Sequence, residues 1–229
     1  MYIKAKDMIN SIKENDDYYK DFMTRSVYNS NAIEGNTLSY YETYAMIFNE
    51  PRVKITATPR EIYEVINLKY AMSYMMESLG KPLSLEYIQN LGIFVNRGVH
   101  EIDGFRSVQV YITGTSFIPA SPDDVMRLMY DLVYEKQKKD EESIFDYLAR
   151  FHMEFEHIHP FIDGNGRVGR LLINHELLSK GYPPAIIPIE KRDGYMELLD
   201  SYDIKGLSCM LKDLYTEEQA RMDRFDVHL

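Results

Sequence analysis

Cysteine is nearly missing from this chain: Cys209 is the only one in 229 residues, and tryptophan does not occur at all. A lone thiol cannot close an intramolecular disulfide, and nothing in the cysteine usage points to an oxidising compartment. It also excludes zinc sites built on cysteine pairs. Long apolar runs are missing as well. The stretch 185–188 is short and interrupted by prolines, far below the ~20 residues of a membrane span, so no membrane partner is expected. The opening Met-Tyr-Ile-Lys-Ala-Lys-Asp carries charges where a signal peptide would have its apolar core, and the expected location is cytoplasmic. There is no basic excess: 26 Lys and Arg stand against 36 Asp and Glu, a net charge of −10. That argues against a sequence-independent grip on nucleic acid, and the chain leaves no room for an added DNA-binding domain. The Gly-Lys-Ser/Thr of a P-loop, the protein-kinase motif set and His-Glu-x-x-His are all absent.

What is present reads as a helical protein with a core of its own, 45% apolar and 27% charged. Helices are predicted over 3–14 and from the Asn15-Asp16-Asp17 break to Ile33, where Gly35-Asn36 supplies a stop. Ser39-Tyr-Tyr-Glu42 and Thr58-Pro59-Arg60-Glu61 are capping boxes. The helix after Thr58 should bury Ile62, Val65, Met72, Met76 and Leu79. Others follow from Ser84, from Ser121-Pro122, over 143–158, after Arg192, and from about 204 to 226, with the charged run 135–142 a solvated helix end. Helix 143–158 has the cleanest apolar stripe, Ile144, Leu148, Phe151, Phe155 and Ile158. Between Gly104 and Gly114 the period changes to two: Val108, Val110 and Ile112 alternate with Gln109, Tyr111 and Thr113. This predicts one short β-hairpin, either a structural flap or an open edge for an extended target segment.

The chemistry concentrates in 159–170, His-Pro-Phe-Ile-Asp-Gly-Asn-Gly-Arg-Val-Gly-Arg. The Asp163-Gly164-Asn165-Gly166 run is a turn, and the apolar spacing after it predicts a helix ending at Gly181. A turn entering a helix N-terminus offers unpaired N–H groups and the positive end of the helix dipole to an anion. Arg167 and Arg170 share one face near the first turn, and two guanidinium forks beside such a nest can grip a polyphosphate. Asp163 is placed to hold the Mg²⁺ that would bridge those phosphates. His159 is the one ring in the stretch able to take a proton at neutral pH. A rival reading takes His152, Glu156, His157 and His159 as a metal site, with His152, Glu156 and His159 on one helix face. Upstream, Ser30 and Glu34 also share a helix face, and a carboxylate near a helix C-terminus is unfavourable unless a cation elsewhere meets it.

The stretch resembles the signature of the Fic family, His-Pro-Phe-x-(Asp/Glu)-Gly-Asn-Gly-Arg-x-x-Arg, with all nine specified positions matched. The resemblance implies a mainly α fold, a Fic-type helical bundle with a single β-hairpin flap. It also implies a protein adenylyltransferase that moves AMP from ATP, with Mg²⁺, to a Ser, Thr or Tyr hydroxyl of a target protein, itself included. His159 would be the base. Gly164, Asn165, Gly166, Arg167 and Arg170 would hold the phosphates, and Asp163 the metal. Tyr195 would line the adenine pocket. Ser30 and Glu34 fit the family's inhibitory (Ser/Thr)-x-x-x-Glu-(Gly/Asn) pattern, placed as in the class with an N-terminal inhibitory helix. Arg106, Val108, Val110 and Ile112 would form the target-docking flap. Residues 1–57 are then an N-terminal region carrying the inhibitory helix, compact with a catalytic core over 58–229. Removal of AMP through the same site, a silent nucleotide-binding module, and a homo-oligomer all stay open.

Overall fold

The computed structural model describes residues 2–135 and 142–227, with side chains from Ala5 onward. The described residues form ten α-helices and no strand. Most of the charged run 135–142 lies outside the described residues.

Local sequence signals set most boundaries. After α1 (Tyr2–Glu14), the Asn15 side chain accepts from the Tyr18 N–H and opens α2 (Asp16–Ile33). Ser39 and Thr58 close complete capping boxes with Glu42 and Glu61 at the starts of α3 (Tyr40–Phe48) and α4 (Pro59–Glu77). Then come α5 (Leu85–Asn96), α6 (Pro122–Tyr130) with a π-helical turn over Asp131–Glu135, and α7 (Ile144–Ile158), capped by Ser143. The signature helix α8 (Asn165–Ser179) ends in a Schellman arrangement. Tyr182 N–H reaches Leu177 O, Gly181 N–H reaches Leu178 O, and Gly181 takes φ 78°. A 3₁₀ turn (Ile189–Lys191), α9 (Arg192–Asp200) and α10 (Ile204–Arg224) complete the order.

Helix α8 is central. Val168, Leu171, Leu172, Ile173, Leu177 and Leu178 are all buried, covering more than one face, as expected of a helix with neighbours all round. It packs against α1, α2, α4, α5 and α7. The predicted α7 stripe is buried at every position against α8 and α10. Each such large side chain contributes about 1.5–3 kcal/mol of burial. Of the α4 residues expected inside, Ile62 is only half-buried. One hydrophobic cluster draws on residues from both 1–57 and 58–229. No helix among the described residues is long and apolar enough to cross a membrane.

Ion pairs fasten α2 to α10. Arg25 makes a two-pronged contact with Glu218 at 2.6 and 2.8 Å, Tyr18 donates to the same carboxylate at 2.7 Å, and Arg221 pairs with Asp21. Glu218→Ala would leave Arg25 with Asp21 alone, and a broken buried pair of this kind is expected to cost about 3 kcal/mol. The urea-denaturation midpoint measures it. Lys20→Ala, whose partner Asp16 stands in solvent, should leave that midpoint almost unmoved.

The β-hairpin is not formed. Residues 107–118 make no backbone–backbone hydrogen bond, and Gly114 supplies only a turn at φ 86°. Side chains take the carbonyls a ladder would need. Arg106 Nη1 donates to Val108 O, Gln109 Nε2 to Val110 O, and Thr115 Oγ1 to Ile112 O. The alternation survives only as burial, Val110 and Ile112 half-buried against exposed Tyr111 and Thr113, while Val108 is exposed and the segment stays unpaired.

Candidate active site

The site grows from the junction of α7 and α8. His159 caps α7 with φ 53°, a left-handed conformation that histidine tolerates better than branched residues. This turns the chain sharply at the helix end. The bond from the ring's Nδ1 to Glu156 O, 3.3 Å, puts the hydrogen on Nδ1, because a carbonyl only accepts. Nε2 is left as the acceptor. Burial pushes the imidazole down to about 4, so the ring is neutral at pH 7.

Asn165 then shapes the loop. Its side chain accepts from Phe161 N–H at 2.8 Å and donates to Phe161 O at 2.9 Å, while Asp163 Oδ1 accepts from Gly164 N–H at 2.6 Å. Gly164 must be glycine: its φ is 80°, and a Cβ would lie 2.7 Å from Val95 Cγ1. The N–H groups of Asn165, Gly166 and Arg167 open α8 and have no helical acceptor.

The two arginines go different ways. Arg170 is buried and faces α2. Its Nε donates to Ser30 Oγ at 2.9 Å, and Nη2 donates to Ser30 O at 2.9 Å and to Glu34 Oε1 at 2.7 Å. The cation that Glu34 needs is thus Arg170. The same carboxylate oxygen sits over the start of α8, since a Cβ on Gly166 would come within 2.3 Å of it. Arg167 is buried too, but beside Asp163 (3.2 Å) and Glu64 (3.6 Å) rather than in the cleft. Its Nε and Nη1 have no hydrogen-bond partner.

His159, Glu34, Gly166, Arg170, Tyr195 and the segment Ile112–Thr115 line one cleft of about 260 Å³. Tyr195 is fully buried in its wall. Its hydroxyl meets His152 Nε2 at 2.6 Å and its ring lies 6.0 Å from the Arg170 guanidinium. Met196, which no sequence signal singles out, also borders the cleft and is less buried. Burial holds His152 down at about 3 and Glu156 up at about 8, so both are neutral. With Tyr195 on His152, the His152, Glu156 and His159 face forms no metal-ligating cluster among the described residues.

Arg106 is the largest surprise. It is 5% exposed and touches no carboxylate. Its guanidinium donates to His159 O (2.7 Å), Ile158 O (3.1 Å), Val108 O (2.8 Å) and Ala120 O (2.5 Å). It thereby satisfies carbonyls at the end of α7, where a cation also complements the helix dipole. Sequence alone cannot show this, because the acceptors are backbone atoms brought together by folding. Arg106→Ala should destabilise the protein by about 2–4 kcal/mol and lower turnover through a misplaced His159. Thermal unfolding and kcat measured together check this.

Residues 82–177 match the sequence model of the Fic/DOC family. The chain therefore carries a Fic/DOC family domain. The protein adenylyltransferase Fic of Drosophila grimshawi is 35% identical over 187 residues, 79% of this chain and 38% of that protein. The chain thus spans under two-fifths of that relative's length. Among solved structures, a Fic domain containing signaling protein from Bacteroides thetaiotaomicron superposes with a TM-score of 0.76 at 24% identity. That match covers 94% of this chain and 90% of the other. Residues 134–508 of Fic-1 from C. elegans superpose with a TM-score of 0.73 at 26% identity, covering 96% of this chain and 71% of the other. The Fic fold is therefore present from α1 to α10, although the family match itself is confined to 82–177.

Proposed function

We propose that this Fic protein transfers AMP from ATP to a hydroxyl of a target protein and is held inactive by Glu34. One observation carries the reading: a neutral histidine with a free Nε2 shares a cleft with a helix N-terminus and a buried arginine now occupied by a carboxylate. A carboxylate bound to Arg170 and set over α8 occupies ground suited to phosphate oxygens. The Drosophila relatives carry the name adenylyltransferase, which favours AMP as the group moved.

The steps follow from the residues. Arg170 and the N–H groups at the start of α8 bind the phosphates. His159 Nε2 removes the proton of the incoming hydroxyl as its oxygen bonds to the α-phosphorus. The bond from that phosphorus to the β-bridging oxygen breaks, and pyrophosphate leaves in line. Arg167 and Asn165 act one layer back: Asn165 fixes the loop, and Arg167 holds Asp163. Tyr195 braces His152 and Arg170 in the wall of the cleft. The backbone groups of Gln109, Tyr111 and Thr113, which no side chain takes, would serve an extended target and set the register of its hydroxyl.

Asp163 fits a Mg²⁺ site of the usual one-carboxylate kind, completed by substrate phosphates and water. It is a hard oxygen donor beside the phosphate-binding helix end, with its side chain 24% exposed. When bound, the ion would neutralise phosphate charge.

ATP labelled on its α- or γ-phosphate separates the readings. Transfer of the α-label alone to protein, with pyrophosphate released, is expected. Transfer of the γ-label would show phosphorylation instead. Release of AMP from a pre-modified protein without net transfer would show that the site runs as a remover, with Glu34 positioning water.

A further inference from the structure

Asp163 has one carboxylate oxygen free of its own loop, and in this state a guanidinium occupies it. Oδ1 accepts from Gly164 N–H and from Arg167 Nη2. Oδ2 accepts from Arg60 Nη2 at 2.6 Å, with His100 Nε2 at 3.4 Å from the same atom. The Arg60 side chain is 55% exposed, so packing does not hold it there. Glu64 does: its Oε1 accepts from Arg60 Nε at 3.0 Å, one helical turn along α4. Glu64 is itself buried and fixed from the other side, where its Oε2 accepts from Asn36 Nδ2 at 2.9 Å. Asn36 stands two residues after Glu34. Its side chain also donates to Glu61 O, and Thr37 donates through N–H and Oγ1 to Glu61 Oε1. A continuous path of hydrogen bonds thus runs from the segment behind Glu34, through the first turns of α4, to the oxygen that would take a cation.

We propose that Arg60 is a gate on cation binding at Asp163, set by Asn36 through Glu64. The proposal rests on the reading of Asp163 as the metal ligand. A guanidinium and a divalent cation compete for the same oxygen, and the two positive charges repel at contact distance. Displacing the segment that carries Glu34 withdraws Asn36 from Glu64 and loosens Arg60. The same segment then restrains both groups together, Arg170 through Glu34 and Asp163 through Arg60.

Mn²⁺ titrated into the full chain without nucleotide, with free Mn²⁺ read by electron paramagnetic resonance, tests this independently of activity. Arg60→Met should bind Mn²⁺ at least about tenfold more tightly than wild type, from removal of a competing charge at contact. Asn36→Ala should give a smaller gain of about two- to threefold, because Glu64 then holds Arg60 less firmly. Arg60→Lys, which keeps the charge, should stay near wild type. Asp163→Ala added to Arg60→Met should abolish the gain. If Arg60→Met binds no more tightly while Asp163→Ala still removes Mn²⁺, the gate is wrong and the metal assignment stands. If Mn²⁺ binding survives Asp163→Ala, the assignment itself fails and the gate with it. A gain in Arg60→Met with none in Asn36→Ala overturns the link to the segment behind Glu34.

Discussion

Glu34→Gly is expected to raise AMP transfer, self-modification included, by about a hundredfold. The basis is positional. Glu34 Oε1 lies 2.7 Å from Arg170 Nη2 and over the start of α8. ATP entering beside that carboxylate must shift, and a displacement of about 1 Å at the reacting phosphorus costs on the order of a hundredfold in rate. Glycine removes the competing oxygen without disturbing the end of α2, where Gly35 already provides the turn at φ 95°. Ser30→Ala should act in the same direction but more weakly, because Ser30 Oγ only accepts from Arg170 Nε and supports its pose. Any AMP-removing activity should fall in Glu34→Gly. Labelled ATP with purified protein measures each outcome. No gain with any divalent metal would mean that Glu34 serves Arg170 as a structural counter-ion alone.

The second large effect is a loss. His159→Ala, made in the Glu34→Gly background so that the chemistry is visible, should lower transfer by two to four orders of magnitude, roughly what a positioned base supplies. ATP binding should be retained, since Arg170 and the α8 N–H groups are untouched. The pH profile adds a signature that a structural role would not produce. A base must be neutral to act, and burial holds this one down to about 4. Lowering the pH from 8 to 5 should therefore cost little activity, and the acid limb of kcat/KM should fall near pH 4, not near the ordinary histidine value. A limb centred near 6.5 would show that His159 is more open to solvent in the working enzyme than here. Unchanged transfer in the alanine variant would remove it from the mechanism.

The sequence by itself determined what depends on near neighbours. The capping boxes at Ser39 and Thr58, the Asn15 cap, the Gly181 stop and the α7 stripe are local rules acting within a few residues, and the structure shows them where the spacing puts them. The turn at Asp163–Gly166 and the helix it feeds belong with these. The need of Glu34 for a distant cation was also legible, because a carboxylate at a helix C-terminus is a local misfit. The tertiary structure shows how Arg170 answers it, for Arg167 and Arg170, three residues apart on one helix, part company in the fold. The packing of α2 on one side of α8 and α4 on another gives Arg170 to Ser30 and Glu34, and Arg167 to Asp163 and Glu64. The alternation at 108–113 misled for a related reason: a strand needs a partner, and here Arg106, Gln109 and Thr115 take the carbonyls first. Arg106 itself, Arg60 and Asn36 are ordinary polar residues until folding sets backbone carbonyls or carboxylates against them. A hydrogen bond between groups a hundred residues apart leaves no periodicity behind, and so only the folded chain can disclose it.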